Sequence, residues 1–167
     1  MGHDICALIV TEPFDERAAR DWDVAGLPLG HHLRLVHVST SYTAYWQARR
    51  AETARLDVPA DFPAVFPREG VVASLAAALA GPTRAGREPS FALVATDYFG
   101  GAGEQWACAY VDGRRVSDVR DINAALRVLG VTAADGLDEF DTVGLAAHRS
   151  TPEVLDRYED LRDELGA

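Results

Sequence analysis

The chain has 167 residues, 48% hydrophobic and 25% charged, which fits one ordinary folded domain and excludes a disordered one. Its 26 acidic and 16 basic residues leave a formal net charge of −10, a surface that repels phosphate and argues against sequence-independent nucleic-acid binding. Every one of those basic residues is Arg; without Lys there is no Schiff-base chemistry and no nucleotide-binding P-loop.

Ile5 to Thr11 (ICALIVT) is an almost unbroken apolar run and predicts a central strand covered on both faces. Pro13 is the expected first turn of a helix on which Phe14, Ala18 and Trp22 recur at helical spacing. Asp23 to His32 carries Gly26, Pro28 and Gly30 and reads as a loop. Leu33 to Ser39 is a second strand. Ser41 is the expected cap of a helix running to Leu56, with Tyr42, Tyr45, Trp46 and Arg49 on one stripe. In Pro59 to Glu69, Phe62 and Phe66 each precede a proline and are held extended, either as plugs on the core or as a lid. Gly70 to Ala80 predicts an apolar helix stopped at Gly81-Pro82, followed by a polar loop with Arg84 and Arg87.

The segment Ser90 to Arg115 organises the rest. Two apolar runs of strand length flank Gly100-Gly101-Ala102-Gly103, and the second run meets Asp112-Gly113, the strongest short hairpin signal. Two or three neighbouring strands in the middle of a sheet are expected. Along the first run Phe91, Leu93, Ala95 and Asp97 share one face, and Ala92, Val94, Thr96 and Tyr98 the other. Asp97 has two readings: it fixes the turn through a backbone N–H, or it lines a site with Tyr98 and Gln105. The glycine loop offers N–H groups to an anion. However, Asp97 and Glu104 flank it, no cation lies within it, and it joins strand to strand, so a structural turn is the simpler reading.

Asp121 is the expected cap of a helix over Ile122 to Leu129, with Gly130 as its left-handed stop and Val131 folding back on Leu126. Gly136 to Leu145 reads as irregular, with room for one short turn. Ser150-Thr151-Pro152-Glu153 is a capping box for a last helix that turns Val154, Leu155, Tyr158, Leu161 and Leu165 inward. From Asp121 onward, eleven acidic residues stand against four basic ones.

Other clusters are weaker. His31, His32 and His37 lack a carboxylate at ligand spacing, and Asp135, Asp138, Glu139 and Asp141 miss the calcium-loop pattern because Gly136 directly follows the first Asp. Cys6 and Cys108 lie in apolar runs without a C-x-x-C pair and are expected as buried thiols of a reducing compartment. The N-terminus carries no signal-like or membrane-spanning stretch, so a cytoplasmic protein without membrane contact is expected.

Two stretches carry a resemblance. One is Asp97-Tyr98-Phe99-Gly100-Gly101-Ala102-Gly103-Glu104-Gln105. The other runs from Ile122-Asn123-Ala124-Ala125-Leu126 through Leu129-Gly130-Val131 to Asp138-Glu139-Phe140-Asp141, Val143-Gly144-Leu145 and His148-Arg149-Ser150. Together they resemble a family of small bacterial cytosolic proteins to which no activity is assigned, so the resemblance transfers no catalytic residue.

The whole chain, 1–167, reads as one α+β domain: a single mixed or mostly antiparallel sheet of four to five strands with packed helices. Two functions stay open. The first is an acidic binding protein, an inhibitor or immunity-type partner of a basic protein. The alternative is a small enzyme using carboxylate and His acid–base chemistry in a pocket near the glycine loop. Catalytic candidates are Asp97, Glu104 and His148; binding candidates are Tyr98, Gly100, Gly101, Gly103, Gln105 and Arg149. No cofactor and no metal is expected.

Overall fold

The structure is a computed structural model, and it describes residues 2–62, 68–80 and 90–167. Phe66, the Gly81-Pro82 stop and the loop with Arg84 and Arg87 lie outside the described residues. Among the described residues six strands form one sheet: β1 (His3–Thr11), β2 (Leu27–Leu29), β3 (Leu33–His37), β4 (Phe91–Phe99), β5 (Ala102–Val111) and β6 (Arg114–Arg115). Their order is β2-β3-β1-β4-β5-β6, and every strand pairing is antiparallel. The α+β class and the single antiparallel sheet agree with the expectation; the strand count of six corrects the expected four to five. β2 and β6 are three and two residues long, too short to show a period. β2 also contains Pro28, which a sheet tolerates at its edge.

Both faces of the sheet are covered. Leu8 and Val10 of β1 and Phe91 and Leu93 of β4 pack under α1 (Glu16–Asp21), α2 (Thr40–Arg50), α3 (Glu69–Leu79) and α6 (Arg157–Leu165). Ile5, Ala7 and Ile9, with Ala92 and Val94, pack under α4 (Ile122–Val128) and the single turn α5 (Glu139–Thr142). This explains why the central strands read as apolar runs rather than alternations: each of their sides meets a helix layer. No helix among the described residues is long and apolar enough to cross a membrane.

The β4–β5 and β5–β6 hairpins are two-residue turns with positive φ at both positions: Gly100 at 61° and Gly101 at 84°, Asp112 at 49° and Gly113 at 73°. That backbone suits the twist of the flanking strands. α4 starts on Asp121, whose carboxylate accepts from Ala124 N at 2.8 Å, and stops at Gly130, with Val131 N donating to Leu126 O at 3.0 Å.

Four helix boundaries differ from expectation. α1 starts at Glu16 and not at Pro13, behind Asp15, whose carboxylate accepts from Arg17 N and Ala18 N at 2.9 Å. α2 is capped by Ser39, whose Oγ accepts from Tyr42 N at 3.0 Å, and not by Ser41. It ends at Arg50 rather than Leu56, because Ala51 turns left-handed. Ser150 is drawn into an extended bridge with Asp4 and caps nothing; α6 starts only at Arg157, after a short 3-10 turn over Glu153–Leu155. Val154 and Leu165 are 57% and 47% exposed, so neither faces inward.

That bridge positions the site. β3 ends at His37, and Val38 N still donates to Cys6 O at 3.0 Å. Beyond it, residues His148 to Ser150 take over the open side of β1, with Asp4 N donating to Arg149 O at 2.8 Å. A segment near the C-terminus is thereby held against the first residues of the chain.

Candidate functional site

The same end of the sheet, where β1 begins and β4 turns into β5, presents polar groups on both faces. On the face covered by α1, α2, α3 and α6, the register places Asp4 opposite Asp97 and Asp97 opposite Glu104. Partners in register share a face and lie about 4.8 Å apart across strands. The three carboxylates therefore form one row across three strands. All are exposed, and among the described residues none has a hydrogen-bond or ion-pair partner on its carboxylate. Phe99 shares this face, two residues beyond Asp97, and is 84% exposed.

The opposite face carries a cavity of about 330 Å³, walled by His3, Thr96, Tyr98, Gln105, Ile122, Asn123, Asp138, Phe140, Ala146 and Arg149. The segments 97–105 and 122–150 both contribute to this wall. Gln105 Oε1 accepts from Ile122 N at 2.9 Å while its Nε2 donates to Tyr98 Oη at 3.1 Å. Asn123 Oδ1 accepts from Phe140 N at 2.8 Å while its Nδ2 donates to Asp138 Oδ2 at 3.1 Å. Asp138 Oδ1 caps α5 by accepting from Asp141 N at 2.8 Å. Since a backbone N–H can only donate, both amide orientations are determined by their partners.

His3 is fixed as well. Its Nε2 faces the Leu145 carbonyl at 3.5 Å and its Nδ1 lies 2.8 Å from Thr96 Oγ1. A carbonyl only accepts, so Nε2 carries the proton and the Thr96 hydroxyl donates to Nδ1. Burial holds the His3 pKa below the usual histidine range, which keeps this neutral tautomer at pH 7. Both ring nitrogens are thus engaged, and neither is free as a base.

The catalytic candidates are not brought together. Asp97 and Glu104 stand on one face of the sheet. His148 stands on the other, its ring 6.4 Å from that of His37. Asp97 lies inside β4 and accepts no backbone N–H among the described residues, so it does not fix the turn; nor does it share a face with Tyr98 and Gln105. Of the binding candidates, Tyr98, Gln105 and Arg149 meet at the cavity. Gly100 and Gly101 form the hairpin tip, with nothing within 4 Å of where a Cβ would point. Gly103 lies in β5, pressed against the backbone of Asp97 and Tyr98. Burial pushes the Cys6 thiol up to about 12 and that of Cys108 to about 11, the range of inert thiols.

The clusters considered for metal are spread out. His31 and His32 sit at the β2–β3 turn and His37 at the far end of β3. Glu139 pairs with Arg127 at 3.0 Å and Asp138 caps α5. Among the described residues no group of three His, Cys, Asp or Glu is spaced to hold a metal ion.

Sequence reasoning missed Asp4, His3, Thr96, Asn123 and Phe140 as parts of these two surfaces. Thr96 could have been found, because it alternates with Tyr98 on one strand face. The others depend on pairings across the fold. Replacing Gln105 by Leu is expected to cost about 2 kcal/mol in urea unfolding, because it strands the Ile122 N–H at the start of α4. A neutral result would mean that water replaces the amide. Comparison with family models, with curated proteins and with solved structures returned no match.

Proposed function

We propose that this is an acidic binding protein for a basic partner, of the inhibitor or immunity type, and that it docks through Asp4, Asp97, Glu104 and Phe99. The observation that carries this reading is the unpaired carboxylate row beside an exposed aromatic ring. Like charges directly opposite on neighbouring strands are destabilising, yet no arginine of the described residues pairs with them. A partner's arginines would neutralise the row and stack on Phe99, the combination of charge and aromatic anchor that interface hot spots use. The net charge of −10 adds long-range steering toward a basic surface.

Asp97→Asn tests both halves of the proposal. Relief of repulsion on either side should raise stability by about 0.5 kcal/mol in urea unfolding. The same change should weaken binding of a fluorescent oligo-arginine peptide, as should Phe99→Ala, while Asp160→Asn on the exposed side of α6 should have little effect. Binding of the wild-type protein should fall steeply with added salt. A peptide that binds Asp97→Asn and Phe99→Ala as well as wild type, or that fails to bind at low salt, refutes the proposed face.

A further inference from the structure

On the opposite side of the sheet, we infer that the cavity between β4, β5, α4 and the 146–149 segment binds a small organic monocarboxylate. Its volume of about 330 Å³ falls at the lower end of the range for small-molecule sites. The inference follows from counting donors and acceptors in the wall. Gln105 Oε1 and Asn123 Oδ1 are engaged by backbone N–H groups, and each oxygen of Asp138 accepts one hydrogen bond and keeps one lone pair, so spare donors outnumber spare acceptors. Donors remain. Tyr98 Oη accepts from Gln105, so its own O–H proton has no partner among the described residues. One N–H of each amide is left over in the same way. Arg149 contributes a whole guanidinium, which has no hydrogen-bond or ion-pair partner among the described residues.

A wall with spare donors and one unpaired planar cation calls for an anionic acceptor. The guanidinium fork matches a carboxylate with two parallel hydrogen bonds. The Asp138 carboxylate stands in the same wall, so Arg149 gives the cavity no surplus of positive charge; a phosphate dianion would stay undercompensated, whereas a monocarboxylate adds a single charge that the guanidinium fork can hold. Phe140, Ile122 and Ala146 supply an apolar wall for the body of the ligand. The wall is also preorganised: its amides, His3 and Asp138 are locked by the hydrogen bonds described above, so binding need order little beyond Arg149 and the Tyr98 hydroxyl.

The test is a titration of the intact protein with benzoate, followed by backbone amide NMR shifts. Saturable shifts at the amides of Tyr98, Asn123 and Phe140, with millimolar or tighter affinity, are expected. Benzyl alcohol and phenyl phosphate should each bind at least about tenfold more weakly. Arg149→Gln should lower benzoate affinity about tenfold or more, and Tyr98→Phe, which removes the free donor together with the acceptor of Gln105 Nε2, about fivefold. Unchanged amide spectra away from the cavity would establish that both variants are folded. Asp97→Asn, on the other face, should leave benzoate affinity unchanged, which separates this site from the proposed docking face. The inference is overturned if benzoate gives no saturable shift, if phenyl phosphate or benzyl alcohol binds as tightly, or if Arg149→Gln and Tyr98→Phe bind benzoate like wild type.

Discussion

Gly103→Ala is expected to destabilise the protein by about 3 kcal/mol in urea unfolding, more than any other alanine substitution in the glycine segment. A Cβ at Gly103 would run into the carbonyl oxygen of Asp97 and stand 2.6 Å from the Cα of Tyr98. Both obstacles are backbone of the neighbouring strand, so neither can swing aside. β4 and β5 would have to separate where Tyr98 and Gln105 build the cavity wall. Gly100→Ala makes the contrast. Gly100 needs positive φ, at 61°, but nothing lies within 4 Å of its missing side chain. It should cost only about 1 kcal/mol, the ordinary penalty for a left-handed alanine. Equal losses at the two positions would mean that turn geometry, and not strand approach, limits the hairpin.

His37 should make the fold sensitive to mild acid. It is 6% exposed, and its Nδ1 lacks a partner among the described residues. Burial, with His148 and His3 nearby, lowers its pKa to about 4. An unfolded chain takes up the proton below about pH 6.5, while the folded one refuses it until about pH 4. The unfolded state therefore binds more protons inside that window, and stability falls as pH falls through it. Above the window the contribution is complete, and below it the loss is constant. At about 1.4 kcal/mol per pH unit, roughly 3 kcal/mol is lost across the window. Burial lowers the His3 pKa too, so His3 adds in the same direction. Carboxylates also titrate in this range, so the decisive quantity is a difference. Urea unfolding of wild type and His37→Phe at about pH 7 and about pH 4.5 should show a clearly smaller acid loss in the variant. Equal losses would mean that His37 protonates freely in the folded protein.

Both predictions concern features with little local signature. Gly103 reads as one of three glycines in a loop, yet its constraint comes from the strand beside it. His37 ends an apolar strand run, and only the arrival of His148 at the open side of β1 encloses it with a second imidazole. In the same way Ser39 and Ser41 are equivalent as caps by composition. The pairing of Val38 with Cys6 sets where the chain leaves β3, and with it which serine stands at the first turn of α2.

The features legible in the residues alone are local. Unbroken apolar runs specified β1, most of β4 and the second half of β5 as buried strand, because a strand covered on both sides has no polar face to alternate. Asp112-Gly113 specified a tight turn, and Asp121 with Gly130 the ends of α4, because each supplies backbone geometry or a cap that few residues can. Pleat alternation already separated Asp97 from Tyr98. The tertiary structure decided the rest: which helices cover which face, the row of Asp4, Asp97 and Glu104, and the meeting of His3 with Thr96, 93 residues away in the chain. Strand register and helix docking are set by burial summed over the whole sheet, and no short stretch of residues carries that sum.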